Sequence, residues 1–357
     1  MNKLKRTLAA LAAACLTLAL LAGCSPSAPG PEGTGAASAP GSGDETTLRV
    51  VATIFPIYDW AREVLGQVPG VELVWLQDTG VDMHSYQPTA EDMLLVSSCD
   101  LFLYVGGTSD NWVDDALQEA VNQDMEVVSL LDVLGDAARL EELTEGMQAG
   151  HEDHDGHAHD GSAEYDEHVW LSLRNAGVLT GAIADAMGRL DPAHAEDFAA
   201  NAAAYTERLA ALDGEYQAAV DAAPLHTLLF GDRFPFRYLV EDYGLDYYAA
   251  FPGCSAETEA SFETVAFLAG KVKELDLPAV LAIENSDHRV AETIAQNAGN
   301  GAKVLTLDSM QGVTGEDAAA GTTYLSIMES NLEVLKQALA WGGTHGPYHL
   351  SRRDPRV

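Results

Sequence analysis

Residues 191–224 read DPAHAEDFAANAAAYTERLAALDGEYQAAVDAAP, and this stretch decides the architecture. Phe198, Ala202, Tyr205, Leu209, Leu212, Tyr216 and Ala219 step by four and three, which lays one apolar stripe along a continuous helix. The pattern predicts a helix from Pro192 to Asp221, capped by Asp191, with proline at its first position and Pro224 ending it. About 30 residues at ~1.5 Å each give ~45 Å, enough to span a small domain. Gly214 is the one interior glycine, at a cost of ~1 kcal/mol. Without a Gly/Ser hinge nearby, such a helix is expected to be a rigid spine packed along two lobes. An isolated coiled-coil arm is the other reading of the stripe.

Working outward, short apolar runs alternate with helical patterns on both sides. Before the spine the runs are 48–54, 71–76, 100–105 and 126–130, with helical stretches near 57–66, 89–98, 111–122 and 174–189. After it the runs are 226–230, 245–251, 279–283 and 303–307, with helices near 234–242, 257–275, 287–298 and 320–340. Apolar runs separated by helices indicate parallel α/β units. The expected fold class is therefore α/β. It has two lobes, 47–190 and 223–342, each a mostly parallel four-stranded sheet flanked by helices, joined by one long rigid helix at 191–222.

The ends read differently. Lys3, Lys5 and Arg6 precede an apolar run, Leu8–Ala22, that is short for a membrane span. It ends in Leu21-Ala22-Gly23-Cys24, which resembles a bacterial lipoprotein signal, so 1–23 is expected to be removed and Cys24 lipidated. Residues 24–46 are Ser/Pro/Gly/Ala-rich and read as a flexible tether. Residues 343–357 continue no pattern and are expected to be disordered. Cys15 falls in the signal, and Cys99 and Cys254 are left unassigned. The 357-residue chain carries a formal charge of −36, which argues against nucleic acid as a partner and for attraction of cations.

Residues 151–171, HEDHDGHAHDGSAEYDEHVWL, hold five of the eleven histidines among seven carboxylates. Imidazole is the usual ligand for zinc and its neighbours. The apolar Val169-Trp170-Leu171 pins His168 to the folded body, whereas His151, His154, His157 and His159 stay on a polar loop (151–167). Ligands on supported backbone lose less entropy on binding. Sites in open α/β sheets form past the carboxyl ends of strands. Metal-competent groups there are His84, Asp308 just after 303–307, and Glu284 just after 279–283.

Over roughly residues 47–340 the chain resembles the zinc/manganese-type (cluster A-I) solute-binding lipoproteins of ABC importers. The family's DPHSYEPTP segment is matched by Asp82-Met83-His84-Ser85-Tyr86-Gln87-Pro88-Thr89. Its DPHVWLSP is matched by Asp166-Glu167-His168-Val169-Trp170-Leu171-Ser172-Leu173, and its acid after the last core strand by Asp308. Tyr324 and Asn331-Leu332 fit the family's final helix. The resemblance implies four metal ligands, two from each lobe, including His84, His168 and Asp308. The third family ligand, a His or Glu, falls on Gly231, which has no side chain to donate. Asp232, Glu284 and Cys254 are the available substitutes, and Arg233 could pair with either acid and remove it from the set.

The implied function is capture of a divalent transition metal outside the cell and delivery to a membrane permease. Zn2+ is expected first and Mn2+ second. The protein is expected to be a lipid-anchored monomer on the bacterial cell membrane and not an enzyme, with the four loop histidines as a weak collecting arm. A surface adhesin of the same family is the alternative. A secreted metallohydrolase is disfavoured, because His-x-His-x-Asp-His, His-Glu-x-x-His and Gly-x-Ser-x-Gly are all absent.

Overall fold

A computed structural model describes residues 48–148, 164–255 and 259–340. The first lobe runs β1 (Leu48–Ala52), α1 (Phe55–Leu65), β2 (Val71–Trp75), α2 (Ala90–Ser98), β3 (Leu101–Tyr104), α3 (Trp112–Gln118), β4 (Glu126–Ser129) and α4 (Leu130–Leu134). Two helices follow, α5 (Leu173–Leu190) and α6 (Ala195–Ala222). The second lobe runs β5 (Thr227–Phe234), α7 (Arg237–Tyr243), β6 (Asp246–Pro252), α8 (Phe262–Glu274), β7 (Ala279–Ala282), α9 (Arg289–Ala298) and β8 (Lys303–Thr306). It ends with α10 (Gly315–Ala319) and α11 (Tyr324–Ala338).

Both sheets are four-stranded and parallel, and they share one winding. The first has the order β2-β1-β3-β4 and the second β6-β5-β7-β8. Parallel strands are covered on both faces, which is why β3 and β7 are almost entirely buried. Each sheet switches direction beside its first strand, so β1/β3 and β5/β7 open the crevices where ligands of such folds collect. The α/β class and all eight strand runs expected from the sequence are present. Helix starts are set by side chains: Ser172 caps α5, Ser261 caps α8, and Thr89, Thr314 and Thr323 form capping boxes.

The spine begins three residues later than its sequence pattern suggests. The Asp191 carboxylate accepts from Ala193 N and His194 Nδ1, closing a turn after α5, and α6 starts at Ala195 and runs 28 residues. Asx-type turns compete with helix in this way. Its stripe is buried as expected from Phe198 to Tyr216, but at its end Val220 is the buried residue and Ala219 only half-buried. Asn201 donates to Val64 O of α1, while Tyr216 donates its hydroxyl to Met328 O of α11 and Asp213 accepts from Tyr243 of α7. The helix is thus fastened to elements of both lobes, and one apolar cluster continues from Val50 and Leu103 through Phe198 and Tyr216 to Phe230 and Leu281.

A second cross-tie is polar. Asp59 of α1 is fully buried and accepts from Tyr324 N at the start of α11 and from Arg62. Trp60 packs edge-on against Tyr324, with ring centroids 5.2 Å apart. Burial pushes the Asp59 carboxyl up to about 6, against the pull of the Tyr324 amide and Arg62.

Two outcomes follow for stability. A methyl group at Gly214 would meet nothing within 4 Å, so Gly214→Ala should stabilise by about 0.5–1 kcal/mol, read as a higher urea midpoint at unchanged slope. Between the unfolded carboxyl value and about 6, the native state binds more protons at Asp59 than the unfolded chain does. Its contribution is therefore intact below pH ~4 and declines as pH rises to ~6, by about 3 kcal/mol. Asp59→Asn retains an acceptor for Tyr324 N. The wild-type-minus-variant difference in melting midpoint should fall across that window, and a flat difference would refute the assignment.

Candidate metal centre

His84 stands in the loop after β2, inside a 3-10 turn (Met83–Ser85) whose leading Asp82 carboxylate accepts from His84 N at 3.0 Å. The loop after β3 supplies Ser109. Its Oγ lies 2.7 Å from His84 Nδ1 and donates to Glu167, which also accepts from Ser109 N at 2.8 Å. With its own proton committed to Glu167, the Ser109 oxygen must accept, so His84 carries its hydrogen on Nδ1.

His168 is fully buried at the head of the 3-10 turn Val169–Leu171. Asp166 Oδ1 accepts from both the His168 backbone amide and Nδ1, each at 2.9 Å. That places the His168 proton on Nδ1 as well. Carboxylates and hydroxyls behind imidazoles fix tautomers this way in metal sites.

The two Nε2 atoms, both left with lone pairs, face each other at 3.1 Å. Two acceptors at that distance repel unless a cation lies between them. Tetrahedral zinc with ligands at about 2.0–2.1 Å would hold two nitrogens ~3.3 Å apart, so the pair is pre-set for such an ion. Burial, with the Arg233 charge nearby, depresses His84 to about 3, which keeps its imidazole neutral and able to ligate.

Cys254, in the turn after β6, completes a group of three: its sulfur and one ring nitrogen of each histidine lie within 4.8 Å of one another. It is a free thiol, and its amide donates to Glu141 Oε1. Burial and the neighbouring Glu141 and Glu167 push the thiol above its ordinary value. Gly253 makes the approach feasible. A Cβ there would lie 2.9 Å from His168 Cε1 and 2.9 Å from Phe234 O, so only glycine lets the β6 end touch the imidazole.

Asp232, Glu284 and Asp308 do not join this group. Asp232 accepts from Arg233 N and Ile283 N. Glu284 is wrapped by Ser309 N and Oγ, Gln311 N and Gly312 N, fixing the turn after β8. Asp308 accepts from Met310 N, and burial beside Glu284 raises it to about 7. Arg233 pairs with neither expected acid. It reaches Asp82 at 2.6 Å, because β5 bulges between Phe230 and Arg233 and sends that side chain toward the first lobe. At Gly231 a Cβ would meet Ala291 Cα at 2.4 Å, so α9 occupies the room a ligand side chain would need.

The family model for zinc-uptake complex component A, periplasmic (ZnuA), matches residues 50–338. The chain belongs to this family. The zinc-binding lipoprotein AdcA of Streptococcus pneumoniae (strain TIGR4) is 34% identical over 292 residues, covering 81% of this chain and 55% of that protein. The chain thus spans about half the length of the AdcA relatives it matches. The high-affinity zinc uptake system protein ZnuA of Bacillus subtilis (strain 168) is 29% identical over 302 residues, covering 85% and 90%. The Zn(II)-bound ZnuA-like domain of S. pneumoniae AdcA superposes with a TM-score of 0.63 at 28% identity, covering 82% of this chain and 99% of that one.

Within this zinc-uptake family fold, the segments singled out in the sequence bring His84 and His168 together. His151, His154, His157, His159 and Cys24 lie outside the described residues. Sequence reading misses Ser109, Glu167 and Gly253 as supports. Glu167 is in view beside His168, but nothing local marks Ser109 or Gly253. Ser109→Ala frees the His84 tautomer and Gly253→Ala pushes on His168. Each should weaken metal binding about 10–100-fold, measured by competition against a chromophoric chelator, and an unchanged affinity would refute these positioning roles.

Proposed function

We propose that this protein is an extracytoplasmic solute-binding component that captures zinc between its lobes and delivers it to an ABC permease. The observation that carries the reading is the pair of Nε2 lone pairs held 3.1 Å apart by Ser109 and Asp166. Neutral imidazoles suit zinc better than manganese, which prefers oxygen donors. The names of the AdcA and ZnuA relatives support zinc as cargo. No step of catalysis is assigned: the site holds an ion and releases it.

Anchoring through a lipidated Cys24, with 24–46 as tether, would keep the binding lobes at the membrane beside the permease. Among the described residues no helix is long and apolar enough to cross a membrane. The histidine loop would serve as a weak collecting arm, and the protein would act as a monomer.

Calorimetric titration of metal-stripped protein with Zn(II) and Mn(II) tests this. One tight zinc equivalent is expected in the wild type, weakened at least 100-fold by His84→Ala and retained when 151–163 is deleted. At zinc 100-fold above Kd the melting transition should gain about 2.7 kcal/mol. Absence of a tight equivalent in the wild type would sink the proposal.

A further inference from the structure

We infer that Cys254 is the metal donor from the second lobe, replacing the ligand that Gly231 cannot supply, and that the site therefore selects thiophilic cations such as Zn(II), Co(II) and Cd(II) over Mn(II). This rests on the metal-capture reading above and extends it to the second-lobe ligand and the class of cargo.

Three observations converge. First, among the described residues the one group of three metal-competent side chains within 4.8 Å is His84, His168 and Cys254. Second, Gly231 is closed by Ala291, while Asp232 and Glu284 are each committed to backbone amides that shape the turns around them. Third, the approach of Cys254 is built: Gly253 lies against the His168 ring at a distance no side chain would allow, and Glu141 of the first lobe holds the Cys254 amide at 3.1 Å. A half-buried cysteine that merely filled space would need neither.

The other thiol among the described residues behaves differently. Cys99 is buried in the first lobe, with Val96 O and Met125 Sδ beside its sulfur. It belongs to no group of metal-competent side chains among the described residues, and supplies an internal contrast.

Binding replaces solvent on the metal by the Cys254 sulfur, and the thiol proton passes to the buffer, so charge and atoms balance. A sulfur donor binds borderline and soft ions well and hard Mn(II) poorly. The two-imidazole, one-thiolate set should thus widen the zinc-over-manganese preference beyond what imidazoles provide.

The test is Co(II) binding to the metal-stripped full chain, followed by absorption spectroscopy. Wild type should show an intense thiolate-to-cobalt charge-transfer band in the near ultraviolet at one equivalent. Cys254→Ser should lose the band yet still bind Co(II), and its zinc-over-manganese affinity ratio should fall at least tenfold. Cys99→Ser should leave both unchanged. Cys254→Ala and the melting midpoint of each metal-free variant guard against misfolding, and the wild-type band requires no substitution at all.

A tight cobalt equivalent without the band, or a band that survives in Cys254→Ser, overturns the role of Cys254 and leaves metal capture standing. Absence of any tight equivalent in the wild type overturns both.

Discussion

Everything at the centre depends on burying Asp166–Leu171, three polar residues followed by three apolar ones, all inaccessible to solvent or nearly so. Each of its polar groups must find a partner, because a buried orphan costs about 1–3 kcal/mol. Trp170 Nε1 donates to Ser309 O, in the turn after the last strand of the second lobe, and Tyr324 donates its hydroxyl to Trp170 O from α11. Tyr238 of α7 donates to Asp166 O and accepts from Arg139 N. Two tyrosines from distant parts of the chain thus satisfy backbone carbonyls of this short stretch, and a backbone carbonyl of the second lobe satisfies its indole. The result is a fully buried imidazole whose ring is gripped by Asp166 on one side and stands 5.3 Å from Trp170.

The electrostatics of that burial favour a cation. Burial raises Glu167, and it raises Asp110 to about 7 even though the carboxylate caps the Val105 and Gly106 amides. Glu167 lies 3.5 Å from His84 Nδ1, and little positive charge stands nearby to offset it. Arg233 contributes one such charge, committed to Asp82. A divalent ion placed at the facing nitrogens would relieve that imbalance, which is how a small site can bind strongly without enclosing a large surface.

Much of this is legible in the sequence. Strands buried on both faces read as continuous apolar runs, such as Ala279–Ile283, and the spine reads from Phe198 to Tyr216 by its period. His84 and His168 stand out because each sits in a distinctive local segment. What stays hidden depends on approaches between loops far apart in the chain. Gly231 reads as a lost ligand, yet its position is a packing contact with Ala291. Arg233 reads as a partner for Asp232 or Glu284, yet a bulge in β5 carries it to Asp82. The spine's start is misplaced by its pattern because Asp191 can cap a helix or close a turn, and His194 decides for the turn. No local pattern encodes that Gly253 must touch His168.

The shared winding of the two sheets has a consequence for how such a site can change. Adjacent strands lie about 4.8 Å apart, and β5 and β6 are neighbours whose ends meet the same space. With Cys254 as the proposed donor, a ligand lost within β5 is recovered just past the end of neighbouring β6. The fold thus specifies a rim on which donors can stand rather than a fixed address for each. Drift along that rim can change which metals are held without redesigning the lobes.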